Sequence, residues 1–508
     1  PKSENKILSL EALAKKGQEL KLQGKKVILS HGIFDLIHNG HISHLKKARS
    51  MGDVLIVTIT ADEYVELGPG YPMFSEKLRA ETLAALECVD YIAINHSAMA
   101  ANIIEAIEPY GFVKGAEYES TFNAPYGDTA EEKKALDSYG GLLKFTPNSN
   151  LDSPHLLNLN LEIFSSETKQ FLNRFRENNS YIEIISKLQK FKNLNVLVLG
   201  DAIIDEYHYV DPLGQAGKGL HLAVKYDSME RFAGGSLAVA GHLSGFCKEV
   251  TLVTGLGKNE GYEDFVRDQL KDRVTPELFF SDQFSTVIKR RYVDFDMNKL
   301  FEVYYFNDAP TPADFDKQVC PWLKKNAGQY DLVLVPDFGN GFLSQNMVDI
   351  LCDKAKFLAV NTQLNSGNRG YHVINRYSRA DFVSLNEPEI RLATHNRHDP
   401  LEPIIERVSK NIQARWVAVT RGTKGAIIFD RECSKFFEIP SLATKVVDRI
   451  GAGDTFLSLA SLCLKDGLSA EVAAFLGSAA AALSVGTVCN SNLVDSTKLD
   501  NYITTLLK

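Results

Sequence analysis

Two separate series of short apolar segments, each alternating with helix-compatible stretches, constrain this chain more than any other feature. The first series begins with 26–30 (KVILS), passes through a helical pattern at 40–50, and continues with a second strand-like run at 53–60. The second series begins at 195–200 (NVLVLG) and extends to about residue 420. Strands that alternate with helices form parallel sheets covered by helices. The sequence therefore predicts an α/β fold with two doubly wound parallel-sheet domains.

A polar stretch rich in Asn, Lys and Glu separates the two series, from about residue 158 to 192. With 508 residues, the chain is too long for one hydrophobic core. We predict a first domain over 1–160, a helical linker over 161–192 and a larger second domain over 193–508.

The composition excludes several classes of function. Hydrophobic residues make up 44% and charged residues 24%, as in an ordinary folded protein. The net charge of −8 comes with no long basic run, so we expect no nucleic-acid partner. Seven widely spaced cysteines without a CxxC pair indicate reduced thiols rather than a zinc site.

No stretch is apolar for the roughly 18 residues that span a bilayer, and 1–6 lacks a signal pattern. We expect a cytoplasmic protein with no membrane partner.

The segment 31–41 (HGIFDLIHNGH) lies where the first strand leads into the first helix, the edge at which open α/β sheets bind ligands. His38 and His41 can point two imidazoles at one phosphate, helped by the free N–H groups and dipole of the helix start. An isolated HxxH pair is more often a capping or surface pair. Here it follows three residues at fixed offsets, Gly32, Phe34 and Asp35. We therefore predict that His38 and His41 are catalytic in nucleotidyl transfer, with these three residues binding the nucleotide.

This segment resembles the GxFDxxHxGH signature of the nucleotidyltransferase superfamily, which includes glycerol-3-phosphate cytidylyltransferase and the adenylyltransferase half of the bifunctional heptose-phosphate enzyme. The resemblance covers about 25–160 and continues at 48–53 (ARSMGD). It implies that Arg79 and Lys114 assist nucleotide binding, although either side chain could equally be a solvated surface cation. Of the Ser/Thr-rich segment that often closes such sites, only Ser153 remains, which leaves the choice between CTP and ATP open.

A second candidate site lies at 448–455 (DRIGAGDT), immediately before an apolar helical stretch. A Gly-Ala-Gly turn at a helix start exposes backbone N–H groups that can hold a transferring phosphoryl group. Asp454 stands at its edge as a candidate catalytic base for a sugar hydroxyl. Taken alone, a GxGD segment is more often a capping turn.

Together with 200–205 (GDAIID), 386–389 (NEPE) and 420–425 (TRGTKG), this turn resembles the ribokinase-like (PfkB) carbohydrate kinases over about 193–495. Within that family it is most similar to the kinase half of the heptose-phosphate enzyme, with the order of the two domains reversed. The resemblance implies a sugar site formed by Asp201, Asp205, Gly234, Gly235 and Lys289. It implies a nucleotide site formed by Asn386, Glu389, Thr420, Gly422, Gly451, Ala452 and Gly453.

By the same resemblance, Asn386 and Glu389 organise Mg²⁺ and phosphate through water, without a direct protein ligand to the metal. Their spacing also fits a helix cap with its first-turn acid. Two departures from the family pattern concern the sugar pocket: 235–239 (GSLAV) lacks an Asn after the double glycine, and Asn361-Thr-Gln363 stands where Asp-Pro-Lys is common. They indicate a re-specified pocket or a weak kinase.

We expect a bifunctional enzyme of nucleotide-sugar biosynthesis that uses Mg²⁺, with ATP at the kinase site and CTP or ATP at the transferase site. The substrates would be a sugar or polyol phosphate, with a heptose as first choice by resemblance, and a nucleoside triphosphate. Strand-like segments at 205–231 and 285–305 predict a β-lid over the sugar and a homodimer. The alternatives are a nucleotidyltransferase whose second domain only senses a sugar, and a scaffold of two degenerate folds.

Overall fold

The computed structural model describes residues 6–65, 71–115, 130–146, 164–217, 219–270, 274–368 and 370–507. They belong to two compact units, Pro1–Ile163 and Phe164–Leu507. None of the helices in these ranges combines the length and apolarity needed to cross a lipid bilayer.

The first unit is built on a five-stranded parallel sheet in the order β3-β2-β1-β4-β5 within the described ranges. Its elements are α1 (Leu10–Leu22), β1 (Val27–Gly32), α2 (Asn39–Arg49), β2 (Val54–Thr60), α3 (Glu76–Ala84), β3 (Tyr91–Asn95), α4 (Ala101–Ile107), β4 (Gly111–Gly115), α5 (Ala130–Asp137) and β5 (Leu142–Thr146). Alternate strand residues enter two separate apolar clusters: Leu29 and Ile56 pack with α1 and α4, whereas Ile28 and Leu55 pack with α2 and α3. Helices thus cover both faces, as the alternating pattern predicts.

The second unit contains two sheets. Its strands are β6 (Asn195–Leu199), β7 (Ala202–Gln215), β8 (Leu222–Gly235), β9 (Glu249–Gly257), β10 (Val274–Ser281), β11 (Val287–Val293), β12 (Lys299–Tyr305), β13 (Leu332–Asp337), β14 (Leu358–Thr362), β15 (Phe382–Asn386), β16 (Trp416–Thr420), β17 (Ala426–Asp430) and β18 (Lys435–Ile439). The main sheet has the order β10-β9-β6-β13-β14-β15-β16-β17-β18. It is parallel as far as β16, and β17 and β18 add an antiparallel edge. The parallel prediction therefore holds for the central strands.

The helices of this unit cover both faces of the main sheet and bury a large apolar core. They are α6 (Ser166–Asn178), α7 (Tyr181–Leu188), α8 (Ser236–Ser244), α9 (Glu263–Gln269), α10 (Ala313–Asn326), α11 (Gln345–Lys354), α12 (Glu387–Ala393), α13 (Leu401–Asn411), α14 (Ala452–Lys465), α15 (Ala470–Ser484) and α16 (Ser496–Leu507).

The smaller sheet, called the lid below, has the order β12-β11-β7-β8. β7 and β8 form a long antiparallel hairpin, β11 runs parallel to β7, and β12 returns antiparallel to β11. It confirms the β-lid that the strand-like segments predict.

Helices α6 and α7 lie within the segment interpreted as a linker over 161–192. They are not a free connector, because Phe171 and Phe175 are buried in the core of the second unit, and the Phe175 ring stacks on Phe475 at a centroid distance of 4.3 Å. The apolar side chains at helical spacing bind this segment to the second unit, which begins at Phe164.

Candidate active sites

The first site lies at the carboxyl end of β1, where the chain enters α2. His38 is the N-cap residue of α2, and its Nδ1 accepts a hydrogen bond from the Gly40 N–H at 3.1 Å. The rings of His38 and His41 lie 4.0 Å apart, and the Phe34 ring stands edge-on to His41 at 5.7 Å. The structure thus brings the two predicted imidazoles side by side at a helix start.

Burial makes the imidazole of His41 a weak base. It lowers the pKa of His41 to about 4, assisted by the neighbouring His38 and His44. His41 is therefore neutral near pH 7 and can donate one ring N–H. Its Nδ1 is buried and has no hydrogen-bond partner among the described residues. A phosphate oxygen at this place would satisfy that atom.

His44 is a site residue that the sequence reasoning missed. Its Nε2 lies 2.9 Å from Ser30 Oγ on β1, and its Nδ1 lies 2.6 Å from Thr146 Oγ1 on β5. Burial, with a contribution from Lys114, lowers its pKa to about 4. It fixes α2 against the sheet edge, and its position one helical turn after His41 is the signal that could have indicated it.

The loop between β1 and α2 is held by backbone contacts. Phe34 and Leu36 both adopt left-handed backbone angles, with φ of 51° and 50°. The carboxylate of Asp35 accepts the N–H groups of Met73 at 2.6 Å and Phe74 at 3.1 Å. A side chain on Gly32 would press on the Phe34 ring. Gly32 and Asp35 therefore shape the loop that carries the histidines, and no nucleotide contact is needed to account for them.

The expectation that Arg79 touches the nucleotide is not supported by its surroundings. The side chain is fully buried and donates to the carbonyl oxygens of Ile33, Thr60 and Phe74 and to Asp62 Oδ1 at 2.6–3.0 Å. Its role in the structure is to join the loop after β1 to the end of β2.

Lys114 lies at the carboxyl end of β4, next to β1, and is also buried. Its Nζ is 3.5 Å from Glu132 Oε2. Burial first, and then Lys114, lower the pKa of His31 to about 3, which places this cation close to the end of β1. Ser153 lies outside the described residues.

The second site is a cavity of about 880 Å³ that extends from the lid to the carboxyl ends of the central strands. Most residues predicted for sugar and nucleotide binding line it, namely Asp205, Gly235, Lys289, Asn386, Glu389, Thr420, Gly422, Gly451, Ala452, Gly453 and Asp454. It is large enough for a nucleotide and a sugar together.

Asp454 lines this cavity and lies in the first turn of α14. Gln363 Nε2 donates a hydrogen bond to its Oδ1 at 2.7 Å. Burial raises the pKa of Asp454 to about 7, with Glu389 and Asp205 adding to the effect and Lys289 opposing it. A carboxylate with this pKa has the proton affinity of a general base near neutral pH. Gln363 belongs to the segment in which this sequence departs from Asp-Pro-Lys, so the departure has a direct contact with the predicted base.

Glycines that precede Asp454 form the start of α14, called the glycine turn below (Gly451, Ala452 and Gly453). Gly451 is the N-cap residue with φ of 84°, and a Cβ there would overlap with Asn490 Oδ1. Gly453 has an ordinary φ and open space where its side chain would be. The backbone and its neighbours therefore require glycine at 451, whereas they leave room for a side chain at 453.

We predict different stability effects for Gly451→Ala and Gly453→Ala. The first forces an L-residue into left-handed backbone and into Asn490, so it should lower the free energy of unfolding by about 1–3 kcal/mol. The second should leave unfolding unchanged while its methyl group obstructs phosphate binding. Thermal unfolding with and without an ATP analogue measures both effects. Equal unfolding temperatures for the two variants would contradict the assignment.

Asn386 and Glu389 form the reciprocal cap that the sequence allows. Glu389 N–H donates to Asn386 Oδ1 at 2.8 Å, Asn386 N–H donates to Glu389 Oε2 at 2.7 Å, and Leu364 N–H donates to Glu389 Oε1. Burial raises the pKa of Glu389 to about 7. The cap and the cavity wall are therefore formed by the same two residues.

At the lid end of the cavity, Asp205 pairs with the Arg291 guanidinium, whose Nε also donates to Glu302 at 2.9 Å. Burial lowers the pKa of Lys289, whose Nζ lies over the rings of Tyr304 and Phe338. Arg291 was not among the residues predicted from sequence. On β11 it lies opposite Tyr207 of β7, two residues along from Asp205, and only the ion pair in the structure reveals it.

Two predicted sugar contacts do not line the cavity. The Asp201 carboxylate accepts the N–H groups of Asn340 at 3.2 Å and Phe342 at 3.1 Å, so it holds the loop after β13. Gly234 lies against Asp205, where any side chain would overlap with that carboxylate. Both residues therefore shape the lid end of the cavity without lining it.

Two helix starts, one with paired imidazoles and one with a bare glycine turn beside a carboxylate, define an α/β protein that handles phosphate groups. Residues 193–494 match the family described as pfkB family carbohydrate kinase, and residues 29–148 match the one described as cytidylyltransferase-like. The chain belongs to the pfkB family of carbohydrate kinases, with a cytidylyltransferase-like domain at its N-terminus.

Curated relatives match the N-terminal unit. Bifunctional protein HldE of Geotalea uraniireducens is 37% identical over 143 residues, which is 28% of each chain. Bifunctional protein HldE of Helicobacter pylori is 43% identical over 115 residues, 22% of this chain and 24% of the relative. The chain thus spans only about a quarter of the length of these relatives. The solved ribokinase of Thermotoga maritima is 18% identical, with a TM-score of 0.49. The match includes 61% of this chain and 99% of the ribokinase chain.

Proposed function

We propose that the second unit transfers the γ-phosphoryl group of ATP to a hydroxyl of a sugar or sugar phosphate. The observation that carries this proposal is the position of Asp454 in one continuous cavity, between the lid end and the glycine turn. A sugar under the lid would present its hydroxyl to Asp454, while the triphosphate would lie at the start of α14.

In this reaction the Asp454 carboxylate takes the proton of the hydroxyl, and the resulting oxygen attacks the γ-phosphorus. The bond from that phosphorus to ADP breaks. The N–H groups of the glycine turn and the dipole of α14 stabilise the charge on the transferring group. Gln363 keeps the carboxylate aimed at the cavity through its hydrogen bond to Oδ1.

The residues around the cavity fit a magnesium ion held largely by water and phosphate. Asn361 lines the cavity, as Glu389 does, and its Oδ1 is a buried acceptor without a partner among the described residues. The described ranges contain no group of three acidic, His or Cys ligands. Mg²⁺ commonly keeps several waters and binds substrate phosphates. When bound, the ion would neutralise phosphate charge.

We propose that the first unit joins a sugar or polyol phosphate to a nucleotide. A phosphate oxygen of the substrate would attack the α-phosphorus of CTP or ATP, and pyrophosphate would leave. His38 and the neutral His41 would donate hydrogen bonds to the oxygens that gain charge. With both activities, the chain would make a nucleotide-activated sugar in two steps, and a heptose is the first candidate. The non-catalytic sensing alternative has no support in the second site, which retains Asp454 and its phosphate-binding turn.

The full chain incubated with ATP, Mg²⁺ and a panel of sugars and sugar phosphates, heptoses included, tests both steps. We expect mass spectrometry to detect a phosphorylated sugar, and pyrophosphate to appear when CTP or ATP meets a sugar 1-phosphate. Absence of phosphoryl transfer across the panel, with nucleotide bound, would favour the sensing alternative.

We predict that the two activities differ in their pH dependence. Because the pKa of Asp454 is about 7 and only its ionised form accepts a proton, kcat for phosphoryl transfer should rise about tenfold per pH unit below 7 and level off above it. The pKa of His41, about 4, leaves nucleotidyl transfer insensitive to this group over the same range. Initial rates of both reactions between about pH 5 and 9 measure the contrast. A kinase rate independent of pH would contradict the role of Asp454.

We also propose a homodimer through the outer face of the lid. An aromatic strip crosses all four of its strands, with ring contacts that link Tyr226, His208, Tyr292 and Phe301. Tyr226 and Phe301 are exposed. We predict a dimer by light scattering that dissociates in Phe301→Glu, while the exposed Phe295→Glu outside this strip stays dimeric. A monomeric wild-type chain would overturn the proposal.

A further inference from the structure

Asp448, three residues before the glycine turn, is a point at which the lid contacts the segment that leads into α14. Its carboxylate is buried and accepts four hydrogen bonds. Two come from lid side chains, Tyr207 OH at 2.5 Å and Lys299 Nζ at 2.9 Å. The other two come from the backbone N–H groups of Ile450 at 3.2 Å and Cys489 at 3.1 Å. One carboxylate thus joins strands β7 and β12 to the residue directly before Gly451.

A second set of contacts connects this carboxylate to the sugar end of the cavity. The Tyr207 ring lies beneath the Arg291 guanidinium, with its centroid 5.6 Å from Cζ. Arg291 pairs in turn with Asp205, which lines the lid end of the cavity. Tyr207 is completely buried, so its hydroxyl has no access to water as an alternative partner. A continuous path of charged and hydrogen-bonded groups therefore leads from Asp205 to the glycine turn.

We propose that Lys299 and Tyr207 are positioning residues that couple the closed lid to the phosphate-binding conformation of the glycine turn through Asp448. This inference rests on the proposed kinase function of the second unit. If the lid moves away, Asp448 loses two of its four donors, and the loss of hydrogen bonds to a charged group is unfavourable. The turn and the lid should therefore adopt their ordered positions together.

Such coupling gives the kinase a way to limit the hydrolysis of ATP by water. A triphosphate at the glycine turn is held in its reactive geometry only when Ile450 and Gly451 are fixed, and these are fixed best when the lid covers the sugar. Closure over the substrate also removes water from around Asp454.

Hydrogen exchange of the full chain, followed by mass spectrometry with and without a non-hydrolysable ATP analogue and Mg²⁺, tests the coupling. The analogue binds at the glycine turn, whereas the readout is the exchange of amides in β7 and β12. The variants are Lys299→Met and Tyr207→Phe, with Lys225→Met, an exposed lysine on β8 of the same lid, as the matched control.

We expect the analogue to slow lid exchange in the wild type and in Lys225→Met. In Lys299→Met this slowing should fall by about 10-fold or more, as for the loss of a charge-assisted hydrogen bond, and Lys299→Arg should restore most of it. Tyr207→Phe keeps the ring and removes only the hydroxyl, so it should show the same loss without unfolding.

Two outcomes would overturn the coupling, and they can be told apart. Equal lid protection by the analogue in Lys299→Met, Tyr207→Phe and Lys225→Met, with the glycine turn protected in all, would remove the coupling and leave the kinase proposal standing. No protection of the glycine turn in the wild type would remove the nucleotide site, and the coupling with it.

Discussion

Asp454→Asn is expected to reduce kcat for phosphoryl transfer by about 10²- to 10⁴-fold, the range that general-base catalysis supplies. The change keeps the shape of the side chain and its capacity to accept the Gln363 amide hydrogen bond, whereas it removes the ability to take a proton. ATP binding should persist, because the glycine turn that contacts phosphate is unaltered. Product formation under saturating ATP, and the binding of a non-hydrolysable analogue, measure the two quantities separately.

The matched control for this variant is Asp466→Asn, at the opposite end of the same helix and distant in sequence from the glycine turn. It should phosphorylate the sugar at the wild-type rate. Nucleotidyl transfer by the first unit should be unchanged in both variants, which excludes general misfolding as the cause. Turnover by Asp454→Asn within a few-fold of the wild type would contradict the proposed base.

The fold could be predicted from sequence because its signal is carried by many residues at once. Strands β1 and β2 of the first unit, six and seven residues long, begin with apolar runs, and the strands alternate with helices along the chain. The sequence did not show how α6 and α7 pack. Their polar composition is that of a surface layer, and only the contacts of Phe171 and Phe175 reveal which unit that layer covers.

Residues at the chemical sites were predictable where the local backbone fixes them. His38, His41 and Asp454 follow a strand or a glycine turn at short distance, so position in sequence determines position in space. Long polar side chains were less predictable, because their reach allows several partners. Arg79 could reach either solvent or a ligand in a sequence-based view, and in the structure three backbone carbonyl groups take up its guanidinium.

Contacts between segments that are distant in sequence could not be predicted from the sequence alone. Asp448 and Lys299 are 149 residues apart, and Gln363 and Asp454 are 91 apart. Neither pair has a motif, since the partners meet only after the lid and the main sheet have formed. The departure at Asn361-Thr-Gln363 was visible in the sequence, but its meaning depended on the contact with Asp454.

His41→Ala is expected to reduce pyrophosphate release from CTP or ATP by about 10²- to 10³-fold, as for the loss of one hydrogen-bond donor to a charged transition state. This variant tests the chemical role more directly than His38→Ala. His38 also caps α2, and its removal would destabilise the helix by about 0.5–2 kcal/mol. His96→Ala, at an exposed histidine of the same unit, is the matched control and should retain full activity. Since phosphoryl transfer depends on the second unit alone, it should be unchanged in both variants. A His41→Ala chain that releases pyrophosphate at the wild-type rate would contradict the proposed role of this ring in the chemistry of the first unit.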